Sequence, residues 1–136
     1  ELLADSDPKH AAARVMALKL VGQWKVEAVS PEIEKLLAEK SATPQLRQQA
    51  LTALASIGGA SAEATFTKLA TKGNPTDARI LAVAGLAQID VKKAAASAVA
   101  VLADLTGEDN PAPMVDAFLA QKSGAAELSK AVSGAK

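Results

Sequence analysis

The strongest constraint on the fold is an apolar stripe that recurs along the chain after 32 residues. Within Leu46–Gly59 the apolar residues follow helical spacing, and the same spacing returns between residues 78 and 89. Residues three and four positions apart share one side of an α-helix, so each copy predicts a helix with one buried face. The stripes are Leu46, Ala50, Ala53, Leu54 and Ile57, then Ala78, Ala82, Gly85, Leu86 and Ile89. Such a recurrence predicts a chain of repeated units.

A second, separate stripe recurs after 33 residues. It comprises Ile33, Leu36 and Leu37, then Phe66, Leu69 and Ala70, then Val99, Leu102 and Ala103. Each repeat is therefore expected to be a pair of helices, and stacking pair on pair buries both stripes in one core. The sequence predicts an all-α, right-handed superhelix of about four helix pairs. The pairs are expected at residues 8–40, 43–73, 75–106 and 110–134 of a single domain, 1–136.

Prolines indicate where the helices begin. Five of the six prolines follow an Asp, Ser, Thr or Asn, whose side-chain oxygen can accept a hydrogen bond from a backbone N–H of the first turn. The expected caps are Asp7, Ser30, Thr43, Asn74 and Asn110, with Thr76 as the alternative to Asn74. Helices are expected at about 8–22, 31–40, 44–57, 61–72, 76–89, 91–106, 111–121 and 125–133.

The repeat register also predicts which leucines are interior. Leu54 and Leu86 occupy one repeat position, and Leu18 and Leu119 are assigned to it in the first and last repeats. Each is expected to be buried between its own second helix and the neighbouring repeat. The apolar pair at residues 2–3 lies outside the pattern, and the first residue is not methionine. Both features favour a piece of a longer protein.

Composition and charge argue against several classes of function. Fifteen basic and fifteen acidic residues cancel, so the chain has no electrostatic footprint for nucleic acid or anionic lipid. No apolar run is long enough to insert in a membrane, and there is no cysteine for a disulfide or a thiolate metal site. Aromatic residues make up 2% of the chain, which also argues against stacking on nucleic-acid bases.

No residue set has the spacing of a catalytic or metal site. His10 is the only histidine and stands in the first turn of the first helix, without a second ligand or a nucleophile at a recognisable spacing. Gly58-Gly59 lacks the following lysine of a phosphate loop and is expected to end a helix. We therefore expect no enzyme activity, no catalytic residue, no metal and no cofactor.

Two features remain as candidate sites. Arg47, Asp77, Arg79 and Asp90 are candidates for a ladder of ion pairs between adjacent repeats, with solvated surface charge as the alternative. Trp24 is the only tryptophan. It is interpreted either as a lid folded over the first repeat, which we prefer, or as an exposed anchor for a protein contact.

The period, the helix-turn-helix unit and the pattern of Leu46–Gly58 and Ala78–Asp90 resemble HEAT-like repeats, including the alanine-rich bacterial kind named after phycobilisome lyases. The resemblance covers nearly the whole chain and implies a HEAT/armadillo-like solenoid. A narrower stretch, Pro113–Gly134, is similar to the end of the HEAT array in large exported proteins of the planctomycete type. Those proteins also carry a membrane-bound dehydrogenase propeller and a c-type haem domain.

These resemblances imply a non-catalytic scaffold or protein-interaction module, acting as a spacer within a larger exported dehydrogenase. Its partners would be another protein or the neighbouring domains of the parent chain, in a periplasmic or exported location. The alternative is a repeat-type lyase or chaperone that handles a chromophore or cofactor. A third hypothesis is a plain helical bundle with no binding role.

Overall fold

The helices form where the two apolar stripes predict them. The computed structural model describes residues 7–39 and 42–135, and eight α-helices lie in this part of the chain. They are α1 (Ala11–Trp24), α2 (Ser30–Ala38), α3 (Pro44–Ile57), α4 (Gly59–Leu69), α5 (Thr76–Ile89), α6 (Val91–Ala103), α7 (Ala112–Leu119) and α8 (Gly124–Gly134). Short 3-10 turns, Pro8–His10 and Glu27–Val29, precede α1 and α2. Residues 2–3 and the predicted end of the second helix at Lys40 lie outside the described residues.

The chain divides into two units, Glu1–Ala62 and Glu63–Lys136. In the first unit α3 packs against both α1 and α2. In the second unit α5 packs on α7 and α6 packs on α8, while α5–α6 and α7–α8 form the two hairpins. First helices therefore stack on first helices, and in the second unit second helices stack on second helices, as expected when each repeat packs on its neighbour.

Small residues let the stacked helices approach closely. A Cβ atom at Gly22 in α1 would lie 3.0 Å from the Cα of Ala53 in α3. A Cβ atom at Gly85 in α5 would lie 2.5 Å from the ring of Phe66, which fills that space from α4. Glycine inside a helix costs about 1 kcal/mol relative to alanine. At Gly85 close packing is the compensating gain, as the sequence predicted.

Three of the four leucines predicted to be interior are buried. Leu18, Leu54 and Leu86 each have 0% of their surface exposed. The prediction for Leu119 is wrong, because its side chain is 64% exposed. The repeat shift of 32 residues from Leu86 leads to Phe118, which is fully buried in its place. A register error of one residue turns a side chain by about 100° around the helix, out of the core.

Three of the predicted caps are confirmed. The hydroxyl of Thr43 accepts a hydrogen bond from the backbone N–H of Leu46 at 3.3 Å, and Thr43 has the extended backbone of an N-cap. Asp7 accepts from the N–H two residues on at 2.9 Å, and Asn110 does the same at 3.0 Å. At the other end of α3, Gly58 has a φ of 71°, which glycine adopts without strain and which ends the helix as predicted.

Two of the predicted caps are wrong. Ser30 is the first residue of α2 rather than its cap, and it is buried. The side chain of Asn74 donates to the backbone oxygen of Lys68 at 3.1 Å, so it closes the end of α4 instead of starting α5. Thr76 is not the cap either, since α5 begins at Thr76 with Pro75 before it.

Candidate functional site

A buried arginine joins the ends of successive second helices in the second unit. Arg79 in α5 is 4% exposed. Its guanidinium donates to the backbone oxygen of Ala70 at 3.1 Å, the carboxylate of Asp104 at 3.0 Å and the backbone oxygen of Ala100 at 3.4 Å. Ala70 follows α4, whereas Ala100 and Asp104 lie at the end of α6. The arginine therefore satisfies carbonyl groups that a helix terminus leaves without a partner.

The first unit contains the same kind of pair. Arg14 in α1 is buried and lies 3.1 Å from the carboxylate of Glu39, the residue that follows α2. Arg14 and Glu39 are 25 residues apart, as are Arg79 and Asp104. Arg47 occupies the equivalent position in α3, and its guanidinium donates to the backbone oxygen of Glu39 at 2.8 Å. An acidic residue just after the second helix is thus the usual partner of this arginine.

The carboxylates predicted for the ladder are not those that meet Arg79. Asp90 accepts from the backbone N–H groups of Lys92 and Lys93 at 3.0 and 3.1 Å and caps α6. It lies at the opposite end of α5 from Arg79, about 16 Å away along the helix axis. Asp77 is an exposed residue in the first turn of α5, where the helix dipole favours a negative charge.

Asp104 is held in its charged form by two cations. Lys72 lies 3.0 Å from one carboxylate oxygen and Arg79 lies 3.0 Å from the other. Hydrogen bonds from Lys72 and Arg79 lower the pKa of Asp104 below its ordinary value of 3.8. A carboxyl group whose pKa is lower in the folded state stabilises that state above its unfolded pKa, and the contribution is lost as the pH falls through the folded value.

Asp104→Asn is therefore expected to flatten the acid dependence of stability. The free energy of unfolding should be lower than that of the wild type near neutral pH, and the difference should shrink below about pH 4. Urea titrations followed by circular dichroism at a series of pH values would measure this. Asp116→Asn, which changes an exposed residue of α7, is the control and should leave the profile unchanged. A constant difference between wild type and Asp104→Asn at all pH values would contradict the expectation.

A groove of about 440 Å³ lies between α6 and α8. Its walls are two rows with the same helical spacing, so the two helices present matched surfaces to the groove. The rows are Lys92, Ala95, Ala96 and Val99 on α6, and Glu127, Lys130, Ala131 and Gly134 on α8, followed by Ala135. The charged residues stand toward the N-terminal ends of the helices, and the small apolar residues form the rest of the surface. Short side chains of this kind let another backbone approach closely.

Trp24 lies on the exposed side of α1. It is the last residue of that helix and is 72% exposed, so the interpretation as a lid is wrong. The helix continues two residues beyond its predicted end and stops at Lys25, whose φ of 50° is left-handed. Met16 and Leu20, 59% and 39% exposed, precede Trp24 at intervals of four residues. Together Met16, Leu20 and Trp24 form what we call the α1 outer stripe.

The described residues contain no group of three or more His, Cys, Asp or Glu side chains that could hold a metal ion. His10 ends the 3-10 turn before α1 and is exposed. Within the same part of the chain, no helix combines the length and the apolar character needed to cross a membrane.

Comparison with known proteins identifies the repeat. A family model described as HEAT repeats matches residues 1–87 and again residues 30–120. Together with the all-helical architecture, this match confirms the predicted fold class, an all-α helical repeat of the HEAT type. No curated protein and no solved structure matches the chain.

Proposed function

Because the chain belongs to the HEAT-repeat family, whose stacked helix pairs form extended binding surfaces, we propose that it is a non-catalytic protein-interaction module. Its proposed binding site is the groove between α6 and α8, and the proposed partner is an extended or helical segment of another protein. The matched rows of small side chains along both helices are the observation that carries this proposal.

The chemistry of the groove favours a partner segment with apolar and acidic residues. Val99 and Ala131 are half-buried and offer apolar contact to a segment lying along the groove. Lys92 and Lys130 outnumber Glu127 among the charged groups of the walls. Lys93, the neighbour of Lys92, is engaged by Glu63, which raises the pKa of Lys93. An amphipathic helix that lays its apolar face in a groove is a common form of peptide recognition.

Site-specific photo-crosslinking in cells that make the protein would test the proposal. A benzoylphenylalanine introduced at Ala96, in the groove, should give a discrete crosslinked product that contains a second protein. The same probe at Ala126, an exposed residue of α8 outside the groove lining, is the matched control and should not give that product. Ala131→Arg should abolish the product by filling the groove. Equal products at both positions, or a product insensitive to Ala131→Arg, would refute the assignment.

We further propose that the module is a single repeat domain and acts as a spacer within a larger exported dehydrogenase. The similarity of Pro113–Gly134 to the HEAT array of such proteins is the support for this part. The parent reading frame tests it, because an adjoining C-x-x-C-H segment is expected and an adjoining phycobiliprotein gene would instead favour the chromophore-handling alternative. The groove lining contains no aromatic residue that would stack on a chromophore.

A further inference from the structure

The α1 outer stripe is a row of large apolar side chains open to solvent. Met16, Leu20 and Trp24 share one side of the helix because they are four residues apart. The opposite side of α1, with Leu18 and Gly22, is buried. Exposed apolar residues are common singly, but a contiguous row of them indicates a contact surface.

The repeat register shows which contact surface this is. With the shift of 33 residues that relates α1 to α3, Leu20 corresponds to Ala53 and Trp24 corresponds to Ile57. Both α3 residues are buried, and Ala53 packs against Gly22 in the first helix before it. The α1 outer stripe therefore occupies the positions through which a first helix packs on the first helix of a preceding repeat.

Helix α7 exposes the complementary surface. With the shift of 32 residues that relates α5 to α7, Val115 corresponds to Val83 and Leu119 corresponds to Ala87. Val83 and Ala87 are buried in α5, the first helix that α7 covers. In α7 the same positions are open, since Leu119 is 64% exposed and Val115 is half-buried. Val115, Asp116 and Leu119 form what we call the α7 outer face.

The two surfaces lie in segments of opposite charge. Residues 8–26 contain Lys9, Arg14, Lys19 and Lys25 and no acidic residue. Residues 94–121 contain Asp104, Glu108, Asp109 and Asp116 and no lysine or arginine. Lys19 is three residues after Met16, and Asp116 is three residues before Leu119, so each charge borders the apolar surface of its helix. Both Lys19 and Asp116 are exposed.

We propose that copies of this chain associate head to tail, with the α7 outer face of one copy packed on the α1 outer stripe of the next. By register, Leu119 takes the position that Gly22 has in α1, and it meets Leu20, which takes the position of Ala53. The apolar rows supply the contact, and the opposite charges of Lys19 and Asp116 favour this orientation over contacts between identical ends. Such a contact is heterologous, so it yields rings when the rotation closes and open chains when it does not.

The only tryptophan of the chain lies in the proposed contact, so its fluorescence reports the association directly. The average mass should be measured by sedimentation over concentrations from about 1 μM to about 1 mM, which brackets weak to moderate affinities. A rise in mass accompanied by a shift of the tryptophan emission to shorter wavelength is expected. A monomer throughout this range, or a rise in mass with unchanged emission, would overturn the proposal and leave the stripe to a different protein or segment.

Two variants separate head-to-tail association from the alternatives. Leu20→Arg disrupts only the α1 outer stripe, and Leu119→Arg disrupts only the α7 outer face; both residues are exposed, so both variants should fold. Each alone should associate at least about tenfold more weakly than the wild type. Mixed together they should form a one-to-one dimer, in which the intact stripe of the Leu119→Arg copy binds the intact face of the other. Self-association of Leu119→Arg alone, or no dimer in the mixture, would refute the arrangement.

A groove variant keeps this result distinct from the proposed partner site. Ala131→Arg changes the α6–α8 groove and leaves both end surfaces intact. It should lose the crosslinked partner and retain the head-to-tail association. Loss of the association in Ala131→Arg would show that the copies meet through the groove, which would overturn the present assignment.

Discussion

Replacing Arg79 with alanine is expected to destabilise the second unit by about 2–4 kcal/mol. The substitution removes a buried guanidinium and leaves three acceptors without their donor: the backbone oxygens of Ala70 and Ala100 and the carboxylate of Asp104. Each buried acceptor that loses its partner costs about 1–3 kcal/mol. The carboxylate of Asp104 stays partly in contact with water and keeps Lys72, so its share of the loss is the smaller one.

Two further variants make this measurement specific. Lys72 pairs with the same carboxylate, but its side chain is 75% exposed, so Lys72→Ala should cost less than about 1 kcal/mol. Arg79→Lys keeps the charge but cannot reach three acceptors in different directions, and it should fall between the two. Urea unfolding followed by circular dichroism provides the comparison. Equal losses for Lys72→Ala and Arg79→Ala would mean that charge, rather than the buried hydrogen bonds, accounts for the effect.

Leu86→Ala is expected to cost about 2–5 kcal/mol. Leu86 is fully buried in α5, the helix that packs on both α6 and α7, so truncation leaves a cavity that backbone movement cannot readily fill. Leu54→Ala should have a comparable effect in the first unit, where Leu54 is equally buried in α3.

Leu119→Ala is the matched control for these truncations. It removes the same atoms from a helix position that is 64% exposed, and it should change the free energy of unfolding by less than about 0.5 kcal/mol. The measurement belongs at the lowest protein concentration that the signal allows, because Leu119 also lies in the proposed contact between copies. A loss at Leu119 as large as that at Leu86 would contradict the burial described for α7.

The two strongest stripes predicted their helices to the residue. Both α3 and α5 begin and end where the sequence placed them, at 44–57 and 76–89. In α3 the stripe is continuous and the helix lies between a capping threonine and two glycines, so local and tertiary signals agree. The last repeat was less well predicted. Helix α7 is short, and its alignment on Leu86 was ambiguous between Phe118 and Leu119.

The arginine pairs were missed because their partners are distant in sequence. The search for carboxylates was confined to the turns beside each arginine, whereas Glu39 and Asp104 stand a full helix pair away. A signal did exist, since both pairs have the same separation of 25 residues. It is hidden in the second repeat, where Lys72 stands 25 residues after Arg47.

The groove and the exposed tryptophan depend on facts that periodicity does not carry. The small residues of α6 and α8 are visible in the sequence, but they line one groove only because α8 stacks beside α6. The orientation of Trp24 depends on where α1 ends. That end is set by Lys25, a non-glycine residue with a left-handed backbone, for which propensities give little warning.

The arginine bridge also determines where the molecule loosens first. A guanidinium that bonds the ends of α4 and α6 makes those ends open together, because freeing one removes donors from the other. The last helix pair has proline and alanine, Pro111 and Ala112, where earlier pairs carry this arginine. Among its described residues α8 buries only Gly124. Amide hydrogen exchange should therefore be fastest in α8, with the terminal turns of α4 and α6 exchanging at one common, slower rate.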